Sequence, residues 1–178
     1  MYELKQIDAK TLEGTVARWN AQLAELADKI PSSRYTRILD WARRFVDGDG
    51  DPNTYVYALC PCGASCEAHA LLEISHALPN TDAAWLKVLQ IHIEPRLDVS
   101  KEETIGHAAM RELARVASFA LTEALGLTFD AHPSSSLKVY GATPLTLDFL
   151  EGIAAMLPDE NGMNVAKKGN WLVIEKPI

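Results

Sequence analysis

The sequence predicts a single α/β domain spanning residues 1–178, with a mixed β-sheet flanked by helices. Three observations predict it. Helical and strand periodicities alternate in the order β-α-α-β-β-β-α-β-α-β-β. One long helical stretch separates the strand-like runs Trp85 to Ile93 and Leu127 to Ala131, which makes a right-handed βαβ crossover if the two strands are parallel. The other strands come largely as hairpins, so the sheet is expected to be mixed. A chain of 178 residues, 48% apolar and 23% charged, buries roughly 70% of its unfolded surface, so one sizeable core needs no disulfide or metal staple.

Each element follows from local pattern. Tyr2 to Ile7 alternates weakly and reads as a short strand. Asp8 offers an N-cap to a helix on which Leu12, Val16, Trp19, Leu23 and Leu26 recur at helical spacing, and Ile30-Pro31 closes it. Ser32 or Ser33 caps a second helix with the stripe Tyr35, Ile38, Leu39, Ala42 and Phe45. It stops at the turn-rich Asp47-Gly48-Asp49-Gly50-Asp51-Pro52, which lacks the later Glu of a calcium loop and reads as a plain turn.

Thr54 to Leu59 and Ala68 to Ser75 form a hairpin around the turn chemistry of Pro61 to Ser65. In Trp85 to Ile93, the clearest strand, Lys87, Leu89, Ile91 and Ile93 share one face, while Val88, Gln90, His92 and Glu94 share the other. Thr104 to Leu125 is a long helix with Ile105, Ala109, Val116, Ala120 and Ala124 facing the core and Gly126 as its C′ residue. Leu127 to Ala131 is a strand and Leu145 to Met156 a helix. Met163 to Ala166 and Trp171 to Ile174 close the chain as a hairpin.

A net charge of -7 argues against a nucleic-acid partner, because phosphate-backbone binders concentrate Lys and Arg on one face. No apolar run approaches the ~20 residues a bilayer crossing requires, and the first residues lack the parts of a signal peptide. The expectation is a cytoplasmic protein with no membrane partner, and self-association into a homodimer is left open.

The element order resembles that of the GCN5-related N-acetyltransferase (GNAT) superfamily over essentially the whole chain. The resemblance implies that the strand before the long helix ends in a splayed segment, here around Ile91 and Ile93, whose backbone holds the pantetheine arm of acetyl-CoA. It also implies a pyrophosphate loop opening the helix, of the form Gln/Arg-x-x-Gly-x-Gly/Ala. Glu103-Thr104-Ile105-Gly106-His107-Ala108 is the matching segment. It keeps Gly106 and Ala108 and has Glu103 where the family has Gln or Arg. Backbone amides and the helix dipole would bind the anion there. The alternative is a capping box over Ser100-Lys101-Glu102-Glu103, which would occupy the same amides.

Acetyl transfer needs a base for the amine and a proton donor for the thiolate. His92 and Glu94 on one strand face are candidate bases, with Glu73 on the neighbouring strand as a third. The resemblance gives Tyr140 the role of proton donor, although Gly141 follows it directly and no Phe comes next. The resemblance therefore implies an acetyl-CoA-dependent N-acetyltransferase acting on a small-molecule or peptide amine, and the acidic charge favours a cationic one such as a polyamine, aminoglycoside or lysine side chain. Two alternatives stay open. One is a degenerate GNAT-like binding module without catalysis. The other is a zinc-stabilised interaction domain using Cys60, Cys62, Cys66 and His69, whose C-x-C-x3-C-x2-H spacing departs from that of the usual paired knuckles, so reduced thiols and no metal site are expected.

Overall fold

The computed structural model describes residues 2–63, 67–98, 107–141, 148–152, 155 and 162–177. Asp8 caps the first helix as expected: its Oδ1 accepts the Thr11 N–H at 2.7 Å, and this hydrogen bond holds the Asp8 carboxyl below its ordinary pKa. It joins β1 (Tyr2–Gln6) to α1 (Ala9–Glu25), and α2 (Ser33–Val46) follows. Ser32 stands at the α2 N-cap with helical φ and ψ and makes no side-chain capping bond, so neither the cap bond expected of it nor a start later than Ser33 is found. β2 (Thr54–Pro61), β3 (Ala70–Ala77) and β4 (Trp85–Ile93) come next, then a short helix α3 (Pro95–Asp98). After α4 (His107–Leu127) come β5 (Ser136–Tyr140), β6 (Asn164–Lys168) and β7 (Trp171–Glu175), with residues 148–152 helical between β5 and β6.

The strands form one seven-stranded sheet in the order β1-β2-β3-β4-β5-β7-β6. β4 and β5 are parallel, whereas β1 with β2, β5 with β7 and β6 with β7 are antiparallel, so the sheet is mixed. The last two strands turn through Gly169 and Asn170, and Gly169 at φ +63° supplies the positive first-position φ that a type II′ hairpin requires.

One expected element is displaced. Leu127 to Ala131 is not a strand, because α4 runs on to Leu127 and its end is closed by Thr128 N–H to Leu125 O and His132 N–H to Leu127 O. Gly126 is accordingly a helical residue and not the C′ position. The strand that pairs with β4 begins at Ser136. Leu137 and Val139 are its two buried apolar residues, and the serine run before it hid so short an alternation. The connection after β4 also contains the short helix α3, which local periodicity does not predict.

The chain packs as two compact units, residues 1–72 with 91–121, and residues 73–90 with 122–178. In the first, Trp19, Ile38, Val56 and Leu71 are fully buried, and the Trp19 indole N–H donates to Ala68 O at 2.9 Å. In the second, Leu86 and Val88 of β4, Leu137 and Val139 of β5, and Leu172 and Ile174 of β7 occupy matching register positions and are all buried. The reverse face of the same strands carries Trp85, Lys87, Lys138 and Trp171, and Lys138 Nζ stands 4.1 Å from the Trp85 ring centre.

Truncating Leu71 to Ala deletes a fully buried side chain and is expected to destabilise the fold by about 2–5 kcal/mol, read from urea unfolding, with exposed Leu78→Ala as the near-neutral control. Two histidines set a pH dependence. Burial, and then His76 beside it, lowers the His132 pKa, and burial lowers that of His69. Groups depressed on folding contribute stability that is complete above their unfolded value, about 6.5. It is lost as pH falls through their folded values. The melting temperature should therefore drop as pH is lowered from 7.5 to 5.5, and His132→Leu should flatten that slope.

Candidate active site

The end of β4 is where the candidate chemistry gathers. Along the strand Leu86, Val88 and His92 are buried, and Glu94, one residue past its end, is only 4% exposed. A carboxylate so far from water is tolerable only when it is paired and hydrogen-bonded. Helix α1 meets that demand. Arg18 and Gln22, four residues apart, lie on one helix face. Glu94 Oε2 accepts from Arg18 Nε at 2.9 Å and Nη2 at 2.7 Å, and from Gln22 Nε2 at 2.7 Å. Gln22 Oε1 in turn accepts the Arg96 N–H at 3.1 Å. Burial works against the Arg18 charge, but Glu94 and then Glu67 outweigh it and hold the guanidinium pKa above its ordinary value.

The other carboxylate oxygen faces a second group of side chains. Glu94 N–H donates to His69 O at 2.9 Å, and Glu94 Oε1 lies 3.4 Å from His69 Nδ1. The Tyr2 hydroxyl lies 2.9 Å from the same Nδ1 and donates to Glu112 Oε1 of α4 at 2.8 Å. Arg115, one helical turn on from Glu112, sits over the Tyr2 ring at 5.1 Å. Burial, reinforced by Glu112, pushes the Tyr2 phenol up to about 12. Burial also pulls the His69 pKa down, with Glu94 opposing it. Near neutral pH the cluster therefore holds a protonated phenol and a neutral imidazole between carboxylates.

The structure distributes the residues singled out from sequence unevenly. Glu94 is at the centre of this cluster, and His92 is buried on the same strand. Ile91 and Ile93 are half-buried on the other face, and the Ile93 carbonyl accepts from Tyr35 Oη at 3.1 Å. Glu73, on β3, is buried in the second unit. Tyr140 ends β5 in that unit, with its ring 5.1 Å from that of Trp171 and 36% of its surface exposed. Glu103, Ile105 and Gly106 lie outside the described residues, His107 is the first residue of α4, and Ala108 in its first turn is exposed. Cys60 is buried and Cys62 exposed, Cys66 lies outside the described residues, and His69 is turned to Tyr2 and Glu94. Among the described residues no group of three or more His, Cys, Asp or Glu could hold a metal ion.

The β4–β5 ladder completes the geometry. Its register runs from Trp85↔Ser136 to Val88↔Val139, and β4 then continues to Ile93. β5 itself ends at Tyr140, so the two strands share a short parallel ladder within this element order. Over 98% of this chain and 92% of the other, the structure is similar to that of AtaTR bound with AcCoA, with a TM-score of 0.52 and 10% identity. The fold is that of the GCN5-related N-acetyltransferases. Other structures similar to this GNAT fold are an acetyltransferase from Thermus thermophilus, at 16% identity, TM-score 0.46 and 100% and 97% coverage of the two chains, and the KacTA–DNA complex, at 11%, 0.45, and 98% and 91%. No family model matches the sequence, and no curated protein matches it.

Tyr2, Arg18, Gln22 and Glu112 are not flagged by the sequence pattern of this GNAT-fold chain, and His69 enters it only as a metal ligand. The one local signal was the Arg18–Gln22 spacing, polar residues set beside the apolar stripe of α1. Replacing Arg18 by Met leaves the Glu94 carboxylate buried without its cation and is expected to cost about 3 kcal/mol of stability in urea unfolding. Arg18→Met with Glu94→Leu should recover most of that loss.

Proposed function

We propose that the protein is an acetyl-CoA-dependent N-acetyltransferase that acylates an amine by direct attack on the thioester. The observation that carries this reading is the fold, in which β4 and β5 pair in parallel from Trp85↔Ser136 to Val88↔Val139 within the GNAT element order. Past Val88 the GNAT resemblance has β4 offer backbone N–H and C=O groups to the amides of a pantetheine arm, since such groups need partners where a strand has no neighbour. Gly106 and Ala108 belong to the segment that would take the pyrophosphate. Glu94 orients the β4 end through Arg18 and Gln22, and Tyr140 is the proton donor that the GNAT resemblance assigns.

The acceptor is an amine that arrives as an ammonium ion, in keeping with a chain charge of -7. It must lose a proton before its nitrogen can attack, which requires a base that is unprotonated near pH 7.

Calorimetric or thermal-shift titration with acetyl-CoA tests the reading. One site saturated at 100 times its Kd adds about 2.7 kcal/mol of stability. No shift at millimolar acetyl-CoA would sink the proposal. Gly106→Glu adds a carboxylate where the pyrophosphate is expected and should abolish binding. Tyr140→Phe should leave affinity within about two-fold and slow turnover by the 10²-fold or so that a lost proton donor costs.

A further inference from the structure

His69 is the imidazole of the β4-end cluster, and the acetyltransferase reading gives it no role. Its Nδ1 has two oxygen neighbours, Tyr2 Oη at 2.9 Å and Glu94 Oε1 at 3.4 Å. Tyr2 has a single proton to give, and it goes to Glu112 Oε1 at 2.8 Å, a carboxylate that can only accept. The phenol oxygen is then left with lone pairs towards the imidazole. Glu94, ion-paired with Arg18, likewise offers Nδ1 only lone pairs. A bare Nδ1 would face both oxygens lone pair to lone pair. A protonated Nδ1 donates to Tyr2 Oη and is drawn to Glu94 Oε1. In neutral imidazole one nitrogen carries the proton and the other does not, and the hydrogen bond made by the first decides which.

We propose that His69 holds its proton on Nδ1 and that its Nε2 lone pair is the proton acceptor for the ammonium group of the acceptor substrate. Nε2 makes no hydrogen bond to any described residue, and the His69 side chain keeps 19% of its surface exposed. The groups facing the ring come from every element around it: Tyr2 from β1, Arg18 from α1, Glu94 from the end of β4, and Glu112 and Arg115 from α4. The carboxylates favour the imidazolium and the two arginines oppose it, while burial keeps the resting ring neutral.

The step balances simply. One proton passes from R–NH3+ to Nε2, leaving a neutral amine and an imidazolium whose Nδ1–H points between Tyr2 Oη and Glu94 Oε1. The amine nitrogen attacks the thioester carbonyl carbon, the C–S bond breaks, the departing thiolate takes its proton from Tyr140 in the donor role assigned to it, and the second proton of the nitrogen restores that donor, giving amide and CoA thiol. The imidazolium returns its proton to water. Glu94 is in this scheme a positioning residue, which orients the ring and compensates its transient charge.

The proposal rests on the acetyl-transfer reading, but its test does not require turnover. Long-range 1H–15N NMR of the 15N-histidine-labelled protein at pH 8 should show His69 as the Nδ1–H tautomer. Diethyl pyrocarbonate should modify His69 at Nε2, read by peptide mass spectrometry, at least ten-fold faster than His132, which is 6% exposed. A His69 found as the Nε2–H tautomer, or modified no faster than His132, would overturn the proposal while leaving acetyl-CoA binding intact. Failure of acetyl-CoA to bind, with the Nδ1–H tautomer present, would overturn the acetyl-transfer reading and the role of His69 as its base, and the two failures are read in separate experiments.

Discussion

The buried carboxylate of Glu94 is the constraint on which the arrangement around the end of β4 depends. At 4% exposure it cannot stay ionised without partners, and the partners fix their own elements in place. Arg18 and Gln22 bind the same oxygen, so α1 can take only one rotation against the end of β4. Gln22 also accepts the Arg96 N–H, which anchors the first turn of α3. The Glu94 main chain meets the His69 carbonyl, which sets the start of β3 beside the end of β4. A single anion thus joins three parts of the chain to α1. Hydrophobic burial alone would not dictate that register, since an apolar stripe tolerates small rotations and a three-donor carboxylate does not.

The same argument separates anchoring from chemistry. An oxygen that accepts three N–H donors has little capacity left to take a proton from a substrate, and taking one would disturb the contacts that hold α1. Glu94 Oε1 is less committed, but it faces His69 and not an open position. That is why the proposed proton acceptor is the neighbouring ring and not Glu94. The two titratable groups beside Glu94 are shifted in opposite directions by one cause: burial favours the neutral form of each, raising the phenol of Tyr2 and lowering the imidazole of His69. Such divergence between adjacent groups is how a fold obtains a fixed donor next to a ready acceptor.

Much of the fold was legible in the sequence, because most of it rests on local periodicity. The alternation of Trp85 to Ile93, the Asp8 cap and the stripes of α1 and α2 are written into neighbouring residues and reappear in the structure. β5 was misplaced for an equally physical reason. Only Leu137 and Val139 are apolar and buried in it, and it owes its existence to pairing with β4 and β7 on its two sides. Leu127 to Ala131, with a better local pattern, is taken by the helix because α4 has the stronger claim through Ala120, Leu121 and Ala124. The candidate site was legible at Glu94 and hardly elsewhere. Tyr2 reaches His69 across 67 positions and Glu112 across 110, separations that no spacing rule can carry.

The acidity of the chain takes on a different meaning once the residues are placed. Glu67, Glu94 and Glu112 gather around one end of the sheet with Arg18 and Arg115 between them, so the charges there are largely neutralised in pairs. An excess of negative charge spread over the surface attracts an ammonium ion from a distance and is screened beyond about 10 Å at ordinary salt. A neutral imidazole flanked by paired carboxylates would act only at contact, as the proposed acceptor of an ammonium proton. The first effect would bring a cation in; only the second would make it a nucleophile. Net charge is therefore an argument about encounter, and the deprotonation proposed for His69 depends on burial, which keeps its ring uncharged against the pull of Glu94.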